Sequence, residues 1–333
     1  MTELRPLPGA VAAQAAPAEA PPSTQVSHDD VRPGLELARL IADATRADGH
    51  APFGEHVLLT LDNQPRVNHA RIVSRVGGLL AGHLALSDTP DGAWYAELGT
   101  APAYRSRGVA ASLLSAARGH VAGHGGGCLR TWAYTHGAPD ALADKLGMDI
   151  CRQVRYQQRP VTAPPAPGAV PGVRLRTLRR DEAGAWLALS NAAFDGHPEN
   201  GGWTADDLGW RLAAPWTSLD RFVVAVDAGT DELLAGVWTK VESGSTEGEL
   251  YVVAVRPDQA GRGLGRLVVR HALQVLAAHG LATASVYVDS TNTAALALYA
   301  SAGFGTRHTD RCFELTVPLA ERARRATAGR SMA

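Results

Sequence analysis

The sequence predicts a mixed α/β fold built twice in tandem, and three observations predict it. A shift of 155 positions lays Pro102 on Pro257, Arg107 on Arg262, Gly108 on Gly263, His124 on His279 and Gly125 on Gly280, which marks an internal repeat. In each copy a strand-like run passes through a glycine-containing turn into a helix-like run, RSRGVAASLLSAARGHVAGHG in the first and AGRGLGRLVVRHALQVLAAHG in the second. Between the copies, residues 161–172 (VTAPPAPGAVPG) have the proline content of an extended linker. A chain of 333 residues has room for two domains, each with its own core.

These features divide the chain. Residues 1–28, mostly Ala, Pro, Glu and Ser, carry too few large apolar groups to offset chain entropy and are expected to form a disordered tail. A first domain is expected over 29–160, a second over 173–319, and a frayed end over 320–333.

The second copy reads element by element. VRLRTL alternates as a strand, and Asp181 is placed to cap a helix carrying Trp186, Leu187 and Leu189 and ending near Phe194. Thr204 and Asp207 have the capping-box spacing before another short helix. Three apolar runs follow, 222–226, 233–241 and 249–255, separated by turn residues, and form an antiparallel meander. After Pro257 the glycine turn opens a helix with Leu264, Leu267, Val268, Ala272, Val275 and Leu276 at helical spacing, closed by Gly280. A strand (SVYVD), a helix (NTAALALYASAG) and a last strand over 311–317 complete the copy.

Composition narrows the function. With 32 basic against 33 acidic residues the net charge is −1, so there is no basic surplus for nucleic acid. Cys128, Cys151 and Cys312 are far apart and lack metal-ligand spacing, so no metal site is expected, and a reducing cytoplasm fits them. No apolar run reaches the ~18 residues of a membrane span. The expected partner is a small molecule, and the expected state a monomer.

A strand that turns through glycine into a helix leaves the first helical N–H groups unpaired and aimed at one spot, where the helix dipole favours an anion such as pyrophosphate. Gly263 and Gly265, and Gly108 with the small Ala110, keep side chains out of that spot.

The order β-α-α-β-β-β-α-β-α-β, with a [Q/R]xxGx[G/A] turn after the fourth strand, resembles the GNAT family of acetyl-CoA-dependent N-acetyltransferases. Arg105, Gly108 and Ala110 match the turn; Gly263 and Gly265 match it in the second copy, where Ala260 takes the Gln/Arg place and Gln259 stands one residue early. NAAFDGHPENGGWT, GVWTKV, GELYVVAVRP and YVDSTNTAALALYASAGF resemble tandem members that acetylate the cysteinyl amine of a cysteine–glucosamine–inositol conjugate. The likeness spans residues 30–319 and implies two tandem GNAT folds with acetyl-CoA as cosubstrate.

By that resemblance Glu249 is the base that deprotonates the amine through water, and Tyr299 the acid that protonates the coenzyme A sulfur. The chemistry is consistent, because an α-amino group of pKa ~7.7–8.0 is largely protonated at neutral pH and a phenol near 10 can donate to a thiolate near 8.5. The resemblance places the coenzyme along Val253, Ala254 and Val255, through Ala260, Gly261, Arg262, Gly263, Leu264, Gly265 and Arg266, and beside Asn292, Thr293, Ala294, Ala295, Leu296 and Ala297. A backbone N–H of Val253–Val255 should meet the thioester carbonyl. Asn292 also reads as an ordinary helix cap. In the first copy the corresponding contacts are Leu98, Gly99, Thr100, Ser106, Arg107, Gly108, Val109, Ala110 and Ala111. Glu55, Glu199, Lys240 and Tyr287 join Glu249 as implied substrate contacts. Glu199, Asn200 and Trp203 stand in a glycine-flanked loop, whereas Trp186, Trp210 and Trp216 read as core or interface aromatics.

Under the same shift Glu249 falls on Trp94 and, after a one-residue gap, Tyr299 falls on Ala143, while Glu97 lies on the face opposite the base's place. The first copy is therefore expected to be degenerate, keeping a coenzyme-binding shape without the reaction. Two other readings stay open: a GNAT enzyme for another amine, such as a protein N-terminus or an aminoglycoside, and a non-catalytic acyl-CoA sensor.

Overall fold

The protein is described from a computed structural model covering residues 22–27, 34–54, 57–58, 69–89, 92–134, 137–161, 166, 168–196 and 201–320. Glu55 and Glu199, residues 162–165 and 167 of the linker, residues 1–21 and 28 of the expected tail and the end beyond 320 lie outside the described residues.

The chain forms two compact units, one of residues 1–149 with 312–333, the other of residues 150–311. The first contains β1 (Ser23–Ser27), α1 (Leu35–Asp48), β2 (His69–Val76), β3 (Leu79–Asp88), β4 (Ala93–Thr100), α2 (Val109–Gly123), β5 (Gly127–Ala133) and α3 (Ala138–Leu146). β1 to β4 pair antiparallel in sequence order, and β4 pairs parallel with β5. Ser23–Ser27 thus forms a strand where the composition suggested only tail. Its backbone pairs with β2, and backbone ladders do not depend on apolar side chains.

The second unit contains most of β6 (Asp149–Pro160), then β7 (Val173–Thr177), α4 (Ala183–Ala193), α5 (Ala205–Ala213), β8 (Phe222–Asp227), β9 (Leu233–Lys240), β10 (Glu247–Val255), α6 (Leu264–Ala278), β11 (Thr283–Asp289) and α7 (Thr293–Ser301). β8 to β10 form the expected meander, β7 pairs antiparallel with β8, β10 pairs parallel with β11, and β11 pairs antiparallel with β6. The last strand, β12 (Gly305–Val317), is divided between the units after Arg311. The units therefore differ from the sequence segments, since 150–160 sits in the second unit and 312–317 in the first.

Thr204 caps α5 as the spacing required, accepting from the Asp207 N–H at 3.2 Å while Asp207 accepts from the Thr204 N–H at 2.8 Å. Asp181 does not cap α4. It lies in a 3-10 turn over 180–182, and the neighbouring Glu182 carboxylate instead accepts from the Arg179 N–H.

Both faces of the second sheet are filled. Leu250 packs with α6 residues Leu264, Leu267 and Val268, whereas Val252 and Ala254 pack with Trp186 and Leu189 of α4. Even-numbered residues of a regular strand share one face. The switch comes from a β-bulge, since Leu250 pairs with Thr239 and Val252 with Trp238, leaving Tyr251 as the extra residue. β4 runs without such an irregularity from Trp94 to Thr100.

Candidate active site

The bulge shapes one end of the site. Parallel pairing of β10 with β11 covers Glu247, Gly248 and Glu249 only. Beyond Glu249 this ladder stops, and the backbone groups of Val253 and Val255, which point away from β9, border an opening on that side of the strand, whereas those of Ala254 turn toward β9. An extended chain bearing amides, such as the pantetheine arm, fits such an opening because it supplies hydrogen-bonding partners.

At the other end is the turn. Gly261 and Gly263 take φ of 79° and 81°, and Gly263 is the N-cap of α6. A Cβ on Gly263 would meet nothing within 4 Å, so the positive φ is what requires glycine there. At Gly265 a Cβ would come 3.3 Å from Leu298, so that glycine allows the close approach of α7. The first N–H groups of α6 have no intrahelical acceptor and point to the space before Gly263, which suits a pyrophosphate. Arg262 donates to the Gln259 side chain. Asn292 caps α7, accepting from the Ala295 N–H at 3.0 Å.

The first copy repeats this backbone. Ser106 and Gly108 have φ of 60° and 79° at the positions matching Gly261 and Gly263, and Gly108 is the N-cap of α2. Arg105 makes a two-pronged ion pair with Asp48 at 2.7 Å, so its guanidinium is engaged within the protein.

The reactive positions differ between the copies. Tyr299 is buried at 5% exposure with its ring against Phe304, and burial raises its pKa, keeping the phenol protonated. Phe304 N–H donates to Tyr299 O at 3.0 Å, and Met148 N–H to Ala143 O at the same distance, so Ala143 is the counterpart of Tyr299. For Glu249 the structure corrects the ungapped comparison. Glu249 pairs with Ser285, whose repeat counterpart is Arg130, and Arg130 pairs with Tyr95. Tyr95, not Trp94, therefore stands in the base's place, because the extra residue Tyr251 offsets the two strands by one. Glu97 is consequently on the same face as Tyr95 rather than the opposite one, and its carboxylate accepts from the Gly54 N–H.

Around Glu249 the sheet carries a polar face. Lys240 is its direct partner on β9; the ammonium lies 5.2 Å from the Trp216 ring centre, 5.9 Å from that of Tyr251 and 3.2 Å from Glu242. Glu247, two residues before Glu249, accepts from Tyr156 at 2.6 Å, from Ser285 at 2.7 Å and from Gln158. Burial would raise the Glu247 pKa, but these donors outweigh it and hold it below the ordinary carboxylate range. Tyr287 is 48% exposed, and its pKa is raised by desolvation of the hydroxyl and by the charges of Glu249 and Asp310. Asp310 is pushed up to about 7 by burial.

Sequence reasoning missed Glu247, Tyr156, His308 and Asp310. No motif marks them, because strand pairing alone brings them together. Trp203, expected beside the substrate loop, is buried instead, with Asn191 bridging its backbone and the Arg211 guanidinium 4.2 Å from its ring centre. Trp186 and Trp216 are core residues as expected. Among the described residues, no group of three or more His, Cys, Asp or Glu could hold a metal ion, and no helix is long and apolar enough to cross a membrane.

The acetyltransferase (GNAT) family model matches residues 37–147 and again 186–304. The chain belongs to the GNAT acetyltransferase family. Both copies have that fold, and as an N-acetyltransferase of this family the enzyme takes its acetyl group from acetyl-CoA. Mycothiol acetyltransferase of Streptomyces bingchenggensis is 39% identical over 295 residues, covering 85% of this chain and 93% of its own. Mycothiol acetyltransferase of Thermobispora bispora is 42% identical over 274 residues, covering 78% and 88%. Among solved structures, a tandem GNAT protein from the clavulanic acid biosynthesis pathway covers 90% of this chain and 100% of its own, with TM-score 0.66 at 18% identity. At that identity the likeness speaks for the fold alone.

Proposed function

We propose that the second copy transfers acetyl from acetyl-CoA to the cysteinyl amine of 1D-myo-inositol 2-(L-cysteinylamino)-2-deoxy-glucopyranoside, forming mycothiol. The similarity to mycothiol acetyltransferases at 39–42% identity over most of the chain carries this reading. Glu249 accepts a proton from the ammonium through water, and the freed nitrogen attacks the thioester carbonyl. The carbon–sulfur bond breaks, Tyr299 supplies the proton that turns the thiolate into free coenzyme A, and the second proton leaves the new amide nitrogen for water, from which the phenol is restored while Glu249 releases its own proton to solvent. Lys240, Tyr287 and Glu199 bind the acceptor. The first copy keeps the turn geometry but carries Tyr95 and Ala143 in place of the reactive pair, so it binds a coenzyme without turning it over.

Incubation with acetyl-CoA and a panel of amines, read by mass spectrometry, tests the proposal. An acetamide on the cysteinyl conjugate is expected. Acetylation of only an aminoglycoside or a protein N-terminus, or of nothing, would overturn it.

A further inference from the structure

On the face that carries Glu249, the neighbouring strands β11, β6 and β12 present Tyr287, Tyr156 and His308 in turn. Tyr156 and Tyr287 are directly paired, with ring centres 5.0 Å apart. The imidazole of His308 stacks on Tyr156 at 4.6 Å with 22° between the planes. Behind it, Asp310 Oδ1 lies 3.5 Å from His308 Nε2, an ion-pair rather than a hydrogen-bond distance. Among the described residues that oxygen has no hydrogen-bond partner, although the Asp310 side chain is only 5% exposed. The His308 side chain is 40% exposed, so a buried carboxyl group backs an imidazole open to solvent.

We propose that His308, oriented by Asp310 and stacked on Tyr156, is a binding subsite for the end of the acceptor remote from its amine, a polyhydroxylated ring. The inference rests on the function proposed above. Scale supports it: three strand spacings of ~4.8 Å, roughly 14 Å, separate the strands of Glu249 and His308, and the two-residue step from Ser285 to Tyr287 adds ~6.6 Å along them, so about 16 Å lies between the two residues, the reach needed by an amine joined to two consecutive rings. Chemistry supports it as well. Imidazole both donates to and accepts from hydroxyls, and the Tyr287, Tyr156 and His308 rings offer flat apolar area to the C–H face of a sugar or cyclitol. Asp310 acts through His308 as a positioning residue, its carboxyl group standing 3.5 Å from Nε2 and favouring the ring orientation that keeps this nitrogen beside it.

The test compares two acceptors, the complete cysteinyl–glucosamine–inositol conjugate and cysteinyl-glucosamine lacking the inositol. With His308→Ala, KM for the complete conjugate should rise about 5- to 20-fold, with kcat within twofold and KM for the truncated acceptor unchanged. Asp310→Asn should shift the same KM in the same direction by a smaller factor. Because His308 is partly exposed, His308→Ala keeps the test valid if Asp310→Asn fails to fold. Equal effects on both acceptors, or none on either, would overturn the subsite while leaving the proposed function standing. Failure of the unmodified protein to acetylate the complete conjugate would overturn both.

Discussion

The Tyr156 hydroxyl donates to Glu247 Oε1 at 2.6 Å across 91 residues of chain, locking a carboxylate two positions from Glu249. With Ser285 and Gln158 also donating, Glu247 is held ionised and fixed. It therefore contributes a fixed negative charge to the face that carries Glu249, the face to which the proposed function brings an ammonium.

Tyr156→Phe should destabilise the protein by about 1.5–3 kcal/mol at pH 7, the range for a hydrogen bond to a charged group. The folded pKa of Glu247 lies below its unfolded value of 4.5, so the stability it contributes is present above 4.5 and is lost as pH falls through the folded value. Denaturant unfolding should show the largest gap between the two proteins at pH 7 and a shrinking one below about pH 4; a pH-independent gap would assign the loss to packing.

Glu249→Gln should lower turnover by roughly 10²–10⁴-fold, the usual worth of a general base, and most at low pH, with acetyl-CoA affinity nearly unchanged. Steady-state rates across the pH range check this, and a loss under about threefold would remove Glu249 from the role.

Tyr299→Phe should slow thiolate departure, and the defect should shrink with an acyl donor whose thiol has a lower pKa. The same defect with every donor would mean the hydroxyl serves packing in a core where the residue is 5% exposed.

Gly108→Glu should remove one of two coenzyme sites in calorimetry and keep most of the turnover, because charge and bulk would enter the space before the α2 N-terminus. Gly263→Glu should abolish turnover with one site still measurable. At φ of 79° and 81° either change also strains the backbone, by roughly 1–2 kcal/mol. Loss of all activity in a folded Gly108→Glu protein that still binds one coenzyme would assign the first copy a part in catalysis.

His83 is buried at 3% exposure, and burial, with the charge of Arg71 adding to it, lowers its pKa from 6.5 to about 4. A histidine held neutral stabilises the fold above pH 6.5, and that contribution falls as pH drops from 6.5 toward 4, where the unfolded chain binds the extra proton. Melting temperature should decline with acid over this window, and His83→Gln should flatten the decline. An unchanged slope would place the acid sensitivity elsewhere.

Much of the architecture was legible wherever local chemistry forces a conformation. Gly108 and Gly263 announced the turns before the two long helices, the Thr204–Asp207 spacing announced a cap, and the meander announced itself through its turns. Glu249 and Tyr299 were reached through resemblance. The bulge at Tyr251 was not legible, because an extra residue in a strand has no side-chain signature, and that one residue misaligned Glu249 with Trp94 and turned Glu97 to the wrong face. Glu247 with Tyr156 and His308 with Asp310 were hidden because strand partners are chosen at long range.

The division of β12 bears on the order in which the chain matures during synthesis. The second unit is one continuous segment, 150–311, and can close as soon as Arg311 leaves the ribosome. The first unit, though made earlier, needs residues from Cys312 onward: Cys128 and Arg130 on β5 both donate to Glu314, and Val317 enters its core. At ~5–20 residues per second those residues emerge on the order of ten seconds or more after the rest of the unit. The half translated first is thus the half finished last, and its open β5 edge waits until the residues from Cys312 onward have emerged, the interval in which a chaperone has most to protect.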